Sequence, residues 1–140
     1  MPPELATPPA ARVRISRTSK YLMLATAAFF DTLQGIFSLF LFVPFVGIVV
    51  IPLNWMFNTA SYMTFYIWFK MHSVQFAGNI RKGGWFFGSL MLEALPISGA
   101  LPWLTIGVWR IIRATEKEDA EATKKIRSEW RDRVAAFQAQ

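Results

Sequence analysis

Two stretches of this chain, residues 21–69 and 83–109, contain no lysine or arginine, and each is bounded on both sides by basic residues. The bounding cations form three clusters: Arg12, Arg14, Arg17 and Lys20; then Lys70, Arg81 and Lys82; then Arg110 through Arg133. The first block is 49 residues long, enough for two helices of the roughly 20 residues that cross a bilayer's hydrocarbon. Composition agrees, since 54% of 140 residues are hydrophobic, with 13 Phe and 6 Trp, more apolar surface than so short a chain buries as a soluble globule. We therefore expect an all-α integral membrane protein with transmembrane helices over 21–43 and 53–69. The turn between them is marked by Pro44, Gly47 and Pro52, where Pro cannot donate to a helix and Gly permits a positive φ. Such a pair returns the chain to its starting side, so the first two basic clusters share one face, which the positive-inside rule makes cytoplasmic.

The second block is too short for the same arrangement. As one tilted, Pro-kinked helix across 84–110 it would export eight Lys and Arg, against the charge rule. As a pair of legs around PISGALP, with Pro96, Gly99 and Pro102 at the tip, each leg is ten residues shorter than its counterpart in the first block. The 14 positions from Lys82 to Pro96 reach about 21 Å as helix, short of about 30 Å of hydrocarbon. The sequence thus predicts one full-spanning helical hairpin and one short re-entrant, half-membrane hairpin over 84–110, both termini remaining cytoplasmic. Tyr21, Trp68, Trp85 and Trp109, each within three residues of a Lys or Arg, suit an interfacial aromatic belt.

Outside the membrane domain, 21–113, the ends read differently. Residues 1–20 are Pro-rich and then basic, without periodicity, and are expected to be a disordered arm near anionic headgroups. Thr115 and Glu118 have capping-box spacing, which predicts a separate cytoplasmic amphipathic helix over 114–140. Its six basic and six acidic residues leave it neutral, and Ile126, Trp130, Val134 and Phe137 form one apolar face suited to protein or to a second copy.

Chemistry has few places to reside. The blocks hold two ionisable side chains, Asp31 and Glu93, lying 11 residues after Lys20 and Lys82, so that straight legs place both about 16 Å deep. Gln34 and Asn58 add polar character near the same level. One reading is a proton or cation site. The other, which we prefer, is a neutral hydrogen-bonded pair that holds the helices together. Gly35 with Ser38, or Gly84 with Gly88, offer small surfaces for close helix contact. The chain has no cysteine, and His72 has no second His, so neither a thiol site nor a metal site is expected and no cofactor is called for. The net charge of +6 flanks apolar blocks and makes no recognition surface for nucleic acid. No grouping of nucleophile, base and orienting residue points to an enzyme.

The segments FFDTLQGIFSLF, the WFK at Trp68–Lys70, and above all GSLMLEALPISGALPWLT resemble those of small, uncharacterised polytopic bacterial membrane proteins, over roughly residues 20–113. The resemblance implies a bacterial cytoplasmic (inner) membrane and no activity. The expected function is a structural or scaffold subunit whose partners are the lipid bilayer and either a homo-oligomer or another membrane protein. The alternatives are a small ion- or proton-coupled carrier or channel subunit using Asp31 and Glu93, and, more remotely, a phage-type lysis protein.

Overall fold

The computed structural model describes residues 7–76, 80–93 and 102–139, and the side chains of residues 80, 81, 90, 92 and 93 fall outside that description. The described chain is all-helical: α1 (Arg17–Phe40), α2 (Gly47–Met71), α3 (Ile80–Glu93) and α4 (Trp103–Gln138). Pro96 and Gly99, assigned to the second tip, lie outside the described residues, as does the side chain of Glu93. Pro102 is the residue that precedes α4.

The start of α1 departs from expectation. Ser16 is its N-cap, its hydroxyl accepting the Ser19 N–H at 3.1 Å, so the helix opens at Arg17 inside the supposed arm. Nor is the preceding segment free where it is described. The backbone N–H of Arg14 donates to Asp119 at 2.8 Å and that of Arg12 to Thr123 at 3.1 Å, while Ile15 is buried. An extended segment with unused N–H groups finds its acceptors on the side chains of α4.

The first tip also differs in detail. α1 ends at Phe40, and α2 begins at Gly47 and contains Pro52 in its second turn, so Pro52 does not close the turn. The positive φ required for the reversal falls on Phe45, at 68°, while Gly47 is the first residue of the helix. Pro44 alone of the three marked residues lies within the non-helical turn.

Pairwise contacts fix the directions of the helices. Phe37 of α1 meets Phe57 of α2 with ring centroids 5.2 Å apart, and Ser19 meets His72 at 3.1 Å, so α1 and α2 are antiparallel. Lys20 reaches Glu116 at 2.7 Å and Asp31 reaches Thr105 at 2.8 Å, so α1 and α4 are antiparallel too. Between α3 and α4, Lys82 pairs with Glu118 at 2.6 Å and the Arg110 guanidinium lies 4.5 Å from the Trp85 ring. That pair therefore also runs antiparallel.

One consequence is that α4 starts beside the middle of α1. Beyond Asp31, α1 continues for nine residues, about 14 Å, alongside α2. The core accordingly gathers at the end of the bundle near the charged residues. Met23 and Ala27 of α1, Tyr62, Phe65 and Phe69 of α2, Phe86 of α3, and Leu104, Val108, Ile111 and Ile112 of α4 pack there. On α4 these recur at i, i+4, i+7 and i+8, one continuous helical face. At the far end Leu39, Phe42, Phe45, Ile48 and Trp55 are each at least 70% exposed. Among the described residues α1 is the one helix long and apolar enough to cross a membrane, and only 17% of that apolar window is buried inside the protein.

α4 is a single helix of 36 residues, which corrects the division at residue 114. Thr115 does not cap a new helix; it is fully buried and its hydroxyl donates to the Ile111 carbonyl at 3.0 Å. No Gly or Pro follows Gly107, and nothing in that stretch interrupts a helix.

The close helix contact occurs at Gly107, and not at Gly35, Gly84 or Gly88, where an added Cβ would meet no described atom within 4 Å. A Cβ at Gly107 would lie 2.9 Å from Ser89 Oγ and 3.2 Å from Ser89 Cβ. Ser89 cannot easily yield, because its hydroxyl donates to the Phe86 carbonyl and accepts from Tyr62. Gly107→Ala is therefore expected to destabilise by about 1 to 3 kcal/mol through overpacking. Gly84→Ala should be neutral or stabilising. Thermal unfolding of the purified variants checks this, and equal effects at the two positions would contradict the packing described.

Candidate functional site

Asp31 projects from the middle of α1 onto the first turn of α4. Its Oδ2 accepts the Thr105 backbone N–H at 2.8 Å and the Thr105 hydroxyl at 2.5 Å, and its Oδ1 accepts the Leu104 N–H at 3.3 Å. A helix start leaves its first N–H groups without partners. Pro102, at the cap position, has no side-chain acceptor to offer. Asp31 supplies from another helix the acceptor oxygens that an N-cap residue normally supplies from its own.

This arrangement separates Asp31 from the polar residues expected to join it. Gln34, one turn along α1, is buried, and its Nε2 has no hydrogen-bond partner among the described residues. The same holds for Oδ1 of Asn54 and of Asn58 on α2 and for Nε1 of Trp103. The pairing of Phe37 with Phe57 sets Gln34 and Asn58 at similar levels of the α1–α2 pair. They form a polar layer just beyond the start of α4.

The second polar centre was not legible in the sequence. Glu118 of α4 accepts from Arg14 at 2.8 Å and from Lys82 at 2.6 Å, and Asp119 accepts from Arg14 Nε at 2.6 Å. Lys82 is only 2% exposed and lies between α3 and α4 with its ammonium on Glu118. With Lys20 on Glu116, these pairs join the N-terminal segment, α1, α3 and α4 at one level of the bundle. Burial pushes the Glu118 carboxyl up, but hydrogen bonds and charge from Lys82 and Arg14 outweigh it and hold Glu118 below the ordinary carboxylate value. The only hint in the sequence was the spacing of acidic residues 116, 118 and 119, and the capping-box reading claimed one of them.

A third feature fixes the same level. His72, half-buried after α2, meets the Trp68 carbonyl through Nδ1 and the Ser19 hydroxyl through Nε2, both at 3.1 Å. A carbonyl only accepts, so Nδ1 carries a proton and, in the neutral ring, Nε2 accepts from Ser19.

Among the described residues the tail face has no such partners. Ile126 and Phe137 are 39% and 42% exposed, Val134 is half-buried, and Trp130 lies near Pro8 with its indole N–H buried and without an acceptor among the described residues.

No family model, curated protein or solved structure matches this chain, so its function has to be read from the geometry.

Two outcomes follow from the two carboxylate centres. Asp31→Leu strands the N–H groups of Leu104 and Thr105 at about 1 to 3 kcal/mol for each buried group left unsatisfied, whereas Asp31→Asn keeps one acceptor oxygen and loses less. Unfolding temperatures should fall in the order wild type, Asn, Leu; equal values for Leu and wild type would remove the cap from the account. For Glu118 the folded pKa lies below the unfolded one, so its stabilisation is complete above the ordinary carboxylate range and fades as pH falls through the lowered value. Glu118→Gln should flatten the decline of unfolding temperature between about pH 5 and 3. A decline as steep as that of wild type would show that the pairs to Arg14 and Lys82 contribute nothing.

Proposed function

We propose that this chain is a non-enzymatic integral membrane protein of the bacterial cytoplasmic membrane, acting as a structural or interaction subunit, with both termini cytoplasmic. In this reading α1 and α2 cross the bilayer, while α3 and the first turns of α4 form a re-entrant pair that enters and leaves by the cytoplasmic face. The remainder of α4 carries a surface for a partner or a second copy.

The observation that carries the reading is the matched register of α1 and α4. Lys20 meets Glu116 and Asp31 meets Thr105, so 11 residues on each helix separate a charged level from the start of α4. If α1 spans, α4 begins roughly 16 Å below that level, near the middle of the hydrocarbon. A helix start at that depth needs a partner for its N–H groups, and Asp31 is bonded to it. The apolar far end, where among the described residues α1 and α2 pack on each other, provides the surface lipid would cover. The exposed hydroxyls of Thr32, Thr59 and Thr64 each donate to the carbonyl four residues back, a way of satisfying them without water.

A structural role for Asp31 is favoured over an ion site because its carboxylate already accepts two backbone N–H groups and a hydroxyl. The tail face, on which Ile126 and Phe137 are exposed and Trp130 and Val134 half-buried among the described residues, favours an interaction subunit.

The absence of cysteine allows single-cysteine labelling without background. With a membrane-impermeant maleimide on intact cells, Phe42→Cys at the turn should be labelled from outside. Ser128→Cys should react only after lysis, and the protein should stay in the membrane through alkaline carbonate extraction. Labelling of Ser128→Cys in intact cells would replace the re-entrant pair with a single crossing, and release by carbonate would end the membrane reading altogether.

A further inference from the structure

The acids and the cations of α4 differ in how they are matched. Glu116, Glu118 and Asp119 are engaged by Lys20, Lys82 and Arg14. Arg110, Arg113 and Lys117 face a groove between α3 and α4, and among the described residues none of the three has a carboxylate within ion-pair distance. Uncompensated cations side by side repel one another, and a bound anion relieves that repulsion.

The geometry of these cations favours a phosphate. The Arg110 guanidinium lies 4.5 Å from the Trp85 ring centre and that of Arg113 4.8 Å from the Trp109 ring centre. A guanidinium resting on an aromatic face keeps its N–H groups in its own plane, free at the edges for bidentate bonds to phosphate oxygens. Two carboxylates line the groove, Glu118, already paired with Lys82 and Arg14, and Glu121; both lie beyond Arg113 towards the end of α4 and repel an anion from there. The preferred position is thus between Arg110 and Arg113.

The surroundings identify what carries the phosphate. Two turns before Arg113, on the same helical face, Ile106 is 37% exposed, and Trp85 and Trp109 are 42% and 39% exposed. A polar, cationic end continuous with an apolar strip suits an amphiphile. We infer that the α3–α4 groove binds the headgroup phosphate of an anionic phospholipid, with Arg110 and Arg113 on the phosphate, Trp85 and Trp109 at the glycerol level, and an acyl chain running over Ile106. This rests on the membrane reading above, which sets the groove at the cytoplasmic interface, the level where anionic headgroups meet basic residues.

Native mass spectrometry and thermal unfolding of the detergent-purified full chain test the site. Phosphatidylglycerol should be retained and should raise the unfolding temperature more than phosphatidylcholine does. Arg110→Gln with Arg113→Gln should weaken phosphatidylglycerol retention by about fivefold for each cation removed. The control Arg127→Gln with Arg131→Gln makes the same charge change on the distal tail and should leave retention unaltered. Equal retention of both lipids, or equal loss in the control, overturns the site. Inorganic phosphate giving the same stabilisation as phosphatidylglycerol would make it a soluble-anion site and overturn the lipid assignment. Carbonate extraction of the wild type separates the two levels of failure: a protein that stays in the membrane yet shows no lipid preference lacks only this site, whereas a released protein loses both readings.

Discussion

A helix that begins in the interior of a structure brings several backbone N–H groups with it, and they must be met by something other than water. In this chain the demand arises at Leu104 and Thr105, and a carboxylate halfway along α1 meets it. Much of the architecture follows from that contact. It sets where α4 starts relative to α1, and with Lys20 on Glu116 it sets the register of the two helices. That register aligns Ile111 and Ile112 with the core and brings the α4 carboxylates level with Lys82 and Arg14. Removing the carboxylate would disturb the position of a whole helix as well as one hydrogen bond.

The all-helical class was legible in the distribution of Lys and Arg, because a block without cations that is rich in Phe, Leu and Ile has few ways to satisfy its backbone except as helix. Asp31 was legible as an anomaly, a carboxylate in an apolar block, and its distance from Lys20 could be counted. Its partner could not, because Thr105 lies 74 residues away and no local pattern connects the two. The same limit hid the cluster at Glu118, whose partners lie 104 and 36 residues distant. Local signals misled where they fit more than one place. Thr115 and Glu118 have capping-box spacing, but that spacing also occurs within helices, and the lack of Gly or Pro after Gly107 was the better guide. At the first tip, Gly47 was the obvious site for a positive φ, yet the reversal is completed at Phe45 before the helix begins.

The acids of α4 are matched by distant cations more than by their neighbours in the sequence. Acidic and basic residues alternate closely after Thr115, and the sequence alone reads as a neutral surface. In the folded chain the acids at 116, 118 and 119 are claimed by cations from three other segments, including a lysine with almost no solvent contact. The acids are thus matched from elsewhere, and Arg110 and Arg113, which precede the neutral segment, are left as the basis of the lipid site we propose.

The unbroken length of α4 has a mechanical consequence. The helix is held at its start by Asp31 and near its centre by the salt-bridged collar at Glu118, with the N-terminal segment also bonded at Asp119 and Thr123, and it ends at Gln138, 20 residues past Glu118. Treated as a stiff rod pivoting at the collar, it has an inner arm of about 21 Å and an outer arm of about 30 Å. A sideways pull of about 3 Å at the outer tip would move the inner end by about 2 Å the other way, enough to part hydrogen bonds that need donor and acceptor within about 3.2 Å. A force on the outer arm would thus be felt at the buried start of the helix, where Asp31 holds it.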